Sequence, residues 1–382
     1  MSGTAMTWSS RFDEFHARAT EQAGLDDFGG EDYHAGLRAL LAALDESPPP
    51  AGGKAAAAEG LIVGPLVSRL KTQAQWAANP GYRTREIPAP LIVIGVPRTG
   101  TTALHNLLSQ DPQFQGIEKW LTGAPMVRPP RAEWEAHPQY QACAASVEHM
   151  FAVAPEVMKA HGVRADEVDE CLLPMAQSFT SNWFPSQLDV PLYGRWLLEA
   201  DERPSFARYK DMLRLVGLND DRRWLLKNPS HVFGIEAMLA VFPDACVVQT
   251  HRHPAASLAS LVNLLDNIMR AYTGEGIDRA RRLARETAFW AEAVRRSMAL
   301  QDRHPGRVVN VRQSDIRRDP MGVVAAIYGQ FGLTLSPEAE AAMQRWAASN
   351  AEQEGAAHSY AAIEEQGPIL DAFAPYIERY GL

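Results

Sequence analysis

The segment Leu91–Val96, LIVIGV, limits the fold of this chain more than any other stretch. A short apolar run in which Ile92, Val93, Ile94 and Val96 are β-branched reads as a strand covered on both faces, the setting of a parallel sheet. A glycine-bearing loop follows, and then Leu104, Leu107 and Leu108 fall on one helical face before Asp111-Pro112 ends the pattern. Two further passages, Trp224–Pro229 (WLLKNP) and Ala245–Pro254 (ACVVQTHRHP), again lead from strand to helix, and Arg307–Val311 (RVVNV) is another candidate strand. Strands alternating with helices predict a parallel sheet sandwiched between helices, a three-layer α/β fold.

The rest of the chain reads as helical additions. Residues 8 to 47 carry Leu37, Leu40, Leu41 and Leu44 at helical spacing, PPPAGG interrupts at Pro48–Gly53, and Ala55–Ala78 resumes before NPG. The expected division is a helical N-terminal extension over 1–85, an α/β core over 86–340 and a helical tail over 341–382. Within the core, 129–222 forms a helical insert rich in Trp, Met and Pro. A length of 382 residues suits one α/β domain with such insertions.

A net charge of −9 argues against a nucleic-acid surface, while leaving room for a basic pocket. No apolar run reaches the roughly 18 residues of a spanning helix, and the first residues lack the basic and apolar regions of a signal peptide. Cys143, Cys171 and Cys246 form no CxxC pair, which points to reduced thiols. The expected location is the cytoplasm; a homo-oligomer stays open.

The loop Gly95-Val96-Pro97-Arg98-Thr99-Gly100-Thr101-Thr102 has the glycine spacing of a Walker A loop. Backbone N–H groups between a strand and a helix N-terminus favour an anion. Thr101 stands where an NTPase has its lysine; Arg98 can supply the charge instead, as a planar fork that holds two oxygens. Such a cation and N–H donors could hold an anionic group without Mg²⁺. No strand ends in an obvious Walker B aspartate, Asp315 being the nearest rival, and His251/His253 has no apparent third metal ligand.

PRTGTT after an apolar strand resembles the 5'-phosphosulfate loop of sulfotransferases that use 3'-phosphoadenosine-5'-phosphosulfate (PAPS). Arg252 at a strand end and Ser260 eight residues later, in HRHPAASLASL, resemble that family's second motif. The resemblance implies that Arg98, Thr99, Gly100, Thr101 and Thr102 hold the 5'-phosphosulfate and that Arg252 and Ser260 hold the 3'-phosphate. His253 stands where bacterial relatives often have Asp. Lys227 and His231 in WLLKNPSH resemble a stretched form of the family's Lys-x-His, which implies His231 as the base and Lys227 as its cationic partner. Glu118 is the rival base, since some members use a glutamate beyond the loop and its helix. The implied reaction moves a sulfuryl group to the hydroxyl of a small acceptor and leaves PAP (adenosine 3',5'-bisphosphate).

Other features carry less. Trp183, Phe184, Tyr193 and Trp196 offer an apolar acceptor wall, although aromatics this dense are more often core. The acidic run Asp166, Glu167, Asp169 and Glu170 reads as a solvated face; Asp169-Glu170-Cys171 resembles a patch in relatives but has no assigned chemistry. His358–Gly367 resembles the tail of bacterial members, and the glycine-lysine tail motif of animal enzymes is absent. The alternatives are a P-loop kinase or NTPase, and a PAP-binding protein without chemistry.

Overall fold

A computed structural model of the chain describes residues 7–47, 53–153, 163–273, 276–354 and 366–382. Its sheet comprises β1 (Leu91–Gly95), β2 (Phe114–Gln115), β3 (Arg223–Lys227), β4 (Cys246–His251) and β5 (Val308–Arg312), in the order β2-β3-β1-β4-β5. Every pairing is parallel, with Val93 level with Lys227 on one side and Val248 on the other. The four strands expected from sequence are present, with ends shifted by up to three residues. β2, two residues long, has too little pattern to be seen in advance.

Alternation along β1 explains the layers. Leu91 and Val93 face a cluster with Leu104, Leu107, Val324 and Ile327. Ile92 and Ile94 face the larger cluster, which takes in the N-terminal helices and the insert. Strand side chains at successive positions point to opposite faces, so one apolar run feeds two cores.

Residues 8 to 47 form two main helices, α1 (Phe12–Ala23) and α2 (His34–Asp45); Gly24, at φ 64°, ends the first in a left-handed cap. α3 spans Gly53–Ala78. The fully buried Arg69 of α3 stitches this extension to the insert. It donates to the carbonyls of Phe28, Gly30 and Gln177 and pairs with Asp32 at 2.5 Å. Gly36 of α2 lies so close to Phe179 that an added Cβ would stand 2.2 Å from the Phe179 carbonyl oxygen. Gly36→Ala is therefore expected to destabilise the protein by about 1–3 kcal/mol through overpacking, seen as a lower urea midpoint; an unchanged midpoint would show that the two segments part readily.

The insert contains helices Pro138–Val153, Leu172–Ala176, Trp183–Gln187, Pro191–Glu199 and Arg203–Val216. Phe184 stacks on Phe179 with centroids 5.1 Å apart, and the Tyr193 hydroxyl donates to the Phe179 carbonyl at 2.6 Å. Both are fully buried core residues, while Trp183 and Trp196 pack on that core from its margin. The final helix, Gly367–Tyr380, straps the tip of β4: the Tyr376 hydroxyl meets His251 Nδ1 at 3.0 Å, and Tyr380 stacks on the same imidazole at 3.8 Å. Most of His358–Gly367 lies outside the described residues. No helix among the described residues is long and apolar enough to cross a membrane.

Candidate active site

In a parallel sheet, ligands bind beyond the carboxyl ends of the strands where the strand order reverses. Here that place is the end of β1, with β3 on one side and β4 on the other. The loop leaving β1 has three residues at positive φ: Gly95 (151°), Arg98 (69°) and Gly100 (94°). A Cβ at Gly95 would come within 2.6 Å of the Thr250 hydroxyl and 2.8 Å of the Thr250 carbonyl, so only glycine fits. Arg98 is a non-glycine residue held in a left-handed conformation, a cost of the kind found where a loop is shaped for a ligand. Thr99 is fully buried and pins the loop from below, bonding the Val96 carbonyl and the Thr250 hydroxyl, each at 2.6 Å.

α4 (Thr101–Leu108) then starts at Gly100 with no side-chain cap, which leaves its first N–H groups directed at the loop. On one flank, Arg98 Nε donates to Ser260 Oγ at 3.0 Å, and Arg252 Nη1 donates to the Arg98 carbonyl at 3.1 Å. Pro254 opens the helix Pro254–Thr273 immediately after β4, which places Ser260 on its second turn. Residues 162 positions apart in sequence thus meet across one small cradle.

On the other flank, Lys227 ends β3, almost fully buried. Its ammonium lies 3.3 Å from Thr102 Oγ1 and 2.8 Å from Glu170 Oε1. Glu170 is the residue that sequence reasoning passed over, inside an acidic run taken for a solvated face. The run divides. Asp166 pairs with Arg164 and Arg131 at the surface, whereas Asp169 pairs with Lys119 at 2.8 Å and Glu170 with Lys227. Burial alone would raise the Asp169 pKa, but the charges of Lys119 and Lys227 outweigh it and hold the carboxyl at about 2. Cys171 completes the clamp: its N–H donates to the Lys227 carbonyl at 3.0 Å, and its sulfur accepts from the Tyr209 hydroxyl at 2.7 Å. The signal available in sequence was the position of Asp169-Glu170-Cys171 beside a resemblance, without a visible partner.

The two expected bases have other side-chain neighbours. His231 lies in the turn Pro229–Val232, enclosed by Phe206 and Tyr209 at 5.1 and 6.2 Å between ring centroids. Burial pushes its pKa down to about 3, so it is neutral. Glu118, beyond edge strand β2, accepts from Arg128 Nε at 3.0 Å, and Arg128 also binds Gln115 and Asp220. Burial raises the Glu118 pKa in spite of that arginine. His105, on α4 beneath the loop, is fully buried, and neither ring nitrogen has a hydrogen-bond partner among the described residues. Burial, helped by the nearby Lys227 charge, pushes its pKa down to about 3.

The profile described as "Sulfotransferase family" matches residues 90–337. The chain is 26% identical over 313 residues to omega-hydroxy-beta-dihydromenaquinone-9 sulfotransferase Stf3 of Mycobacterium bovis and of Mycobacterium tuberculosis, covering 76% of this chain and 75% of each relative. The crystal structure of sulfotransferase STF1 from Mycobacterium tuberculosis H37Rv superimposes with a TM-score of 0.85 at 36% identity, over 95% of this chain and 98% of that one. Sulfotransferase STF9 from Mycobacterium avium shares the fold, with a TM-score of 0.84 at 24% identity over 99% and 98% of the two chains.

Proposed function

The chain belongs to the sulfotransferase family, and from that premise we propose that it draws its sulfuryl group from PAPS, held across the two flanks of the β1 loop, and acts in the cytoplasm. The observation that carries this reading is the convergence of Arg98, Arg252 and Ser260 beside an uncapped helix N-terminus. One anionic end of a nucleotide would rest on Arg98 and the N–H groups of Thr99 to Thr102. The other would reach Arg252 and Ser260. Arginine at both places supplies fixed charge and paired donors.

The reaction is an in-line displacement. The acceptor oxygen bonds to sulfur as the bond from sulfur to the 5'-phosphate oxygen breaks, giving a sulfate ester and PAP. Lys227 stands where its ammonium would stabilise charge on the departing phosphate. The proton of the acceptor hydroxyl needs a base within reach of the same corner. Of the three candidates, Glu170 touches Lys227 directly and is only half-buried. His231 packs against the Phe206 ring, and Glu118, like Glu170, is paired with a cation. The contact with Lys227 is what favours Glu170, with His231 and Glu118 as the alternatives. The acceptor is a hydroxylated small molecule.

Thermal unfolding with PAP in the absence of Mg²⁺ tests the donor. At 100-fold excess over Kd the protein is expected to gain about 2.7 kcal/mol, and Arg252→Ala to lose most of that gain. A shift with ATP and Mg²⁺ but none with PAP would favour a kinase-like site and remove the proposal.

A further inference from the structure

A second ion pair, Lys119 with Asp169, sits beside that of Lys227 with Glu170, each 2.8 Å from nitrogen to oxygen. Lys119 opens the short helix Lys119–Thr122, and the side chains of its pair are only 27% and 16% exposed. The two pairs are within electrostatic reach of each other. Lys119 feels the charge of Glu170 as well as that of Asp169, and Asp169 feels Lys227 as well as Lys119. Two cations and two anions so placed have two ways to pair, and the structure adopts one of them.

The backbone sets the choice. The Lys119 N–H donates to the Glu167 carbonyl and the Asp169 N–H to the Ile117 carbonyl, both at 2.8 Å, around an antiparallel bridge of Glu118 with Val168. This tie puts Asp169 beside Lys119. Two residues on, the Cys171 N–H holds the Lys227 carbonyl at 3.0 Å, and Glu170 lies beside Lys227. A half-buried ammonium that loses its carboxylate keeps an uncompensated charge and is drawn to the next anion. For Lys119 that anion is Glu170, the other carboxylate whose charge it feels.

We propose that Asp169 is a positioning residue for the transfer: by holding Lys119 it leaves Glu170 to a single cation. A carboxylate held by one cation takes up the acceptor's proton far more readily than one held by two. This rests on the reading of Glu170 as the base given above, and adds to it the device that keeps that base available. Nothing in the run Asp166–Glu170 marks Asp169 for such a task in sequence, because its partner comes from the chain beyond β2.

Urea unfolding of the full chain tests the exchange of partners without any acceptor. Glu170→Gln is expected to lower the midpoint more in an Asp169→Asn protein than in an Asp169→Asn/Lys119→Met protein, because only the former has a displaced ammonium for Glu170 to hold. Equal losses in the two backgrounds would overturn the proposal. Turnover, read as PAP release from PAPS over a panel of phenols and primary alcohols, tests the consequence. Asp169→Asn is expected to lower kcat by about 10- to 100-fold, while KM for the acceptor and Kd for PAP change by less than about threefold. Adding Lys119→Met should restore most of the loss, and Asp169→Glu, which keeps the charge, should lose less than Asp169→Asn. A double variant as slow as Asp169→Asn sinks the inference, as does full activity in Asp169→Asn when Glu170→Gln has lost it. Where Asp169→Asn is too unstable to assay, the double variant, which buries neither charge, decides: near-normal kcat upholds the inference and a large loss removes it. If Glu170→Gln itself keeps full turnover, the base reading falls and takes this inference with it.

Discussion

Glu170→Gln is expected to lower kcat by about 100- to 10,000-fold, while the dissociation constant for PAP changes by less than about threefold. The substitution keeps the size of the side chain and removes both its proton affinity and its charge against Lys227, 2.8 Å away. Lys227→Met should be comparably damaging, by about 100- to 1,000-fold, because it takes away the cation beside Thr102 and strands a carboxylate in a half-buried place. Activity is read as PAP release over a panel of phenols and primary alcohols, with donor binding measured in parallel. His231→Gln and Glu118→Gln are the comparison. If either abolishes turnover with PAP binding intact while Glu170→Gln does not, the base is the histidine or the other glutamate.

Between pH 7 and pH 5, His105, His231, His251 and Glu202 together are expected to remove about 3 kcal/mol of folding stability, the net of two opposed effects. His105 and His231 are held at about 3 and His251 at about 4, burial being the main cause in each. Their folded values lie below the unfolded value of about 6.5. The unfolded chain therefore binds protons that the folded chain refuses, and this stabilisation is full above about pH 6.5 and declines as the pH falls. By pH 5 each histidine accounts for a loss of about 2 kcal/mol. Burial pushes the Glu202 carboxyl up to about 8, so it stays protonated when folded and returns roughly 2.7 kcal/mol over the same interval. Urea unfolding at the two pH values measures the difference. His105→Leu, which removes an imidazole with no hydrogen-bond partner among the described residues, should flatten the dependence by about 2 kcal/mol. A dependence of the same steepness in that variant would mean that His105 protonates in the folded protein.

What could be read from the residues was local in origin. LIVIGV declares a buried strand by its own composition, and PRTGTT declares a tight strand-to-helix loop by its glycine spacing. Ser260 stands on the second turn of a helix that begins two residues after Arg252, so their spacing is local. What could not be read depends on partners far along the chain. β2 exists because Phe114 and Gln115 pair with Arg223 and Trp224, and two residues carry no periodicity. Asp169 and Glu170 are indistinguishable in sequence from their surface neighbours Asp166 and Glu167, and only the fold brings them to Lys119, beside Glu118, and to Lys227, at the end of β3. His231 sits where its motif suggests, yet whether a histidine in that position faces a cavity or a wall of rings is decided by Phe206 and Tyr209 on another helix.

The strap of Tyr376 and Tyr380 across His251 has a consequence for the order in which the working protein can assemble. A growing polypeptide has the phosphate loop and all five strands before the helix that braces the neighbour of Arg252 has been made. Until then the imidazole is exposed and can take up a proton, and the arginine beside it hangs from an unbraced strand tip. The bracing of that strand tip should therefore arrive late in synthesis, after the sheet itself.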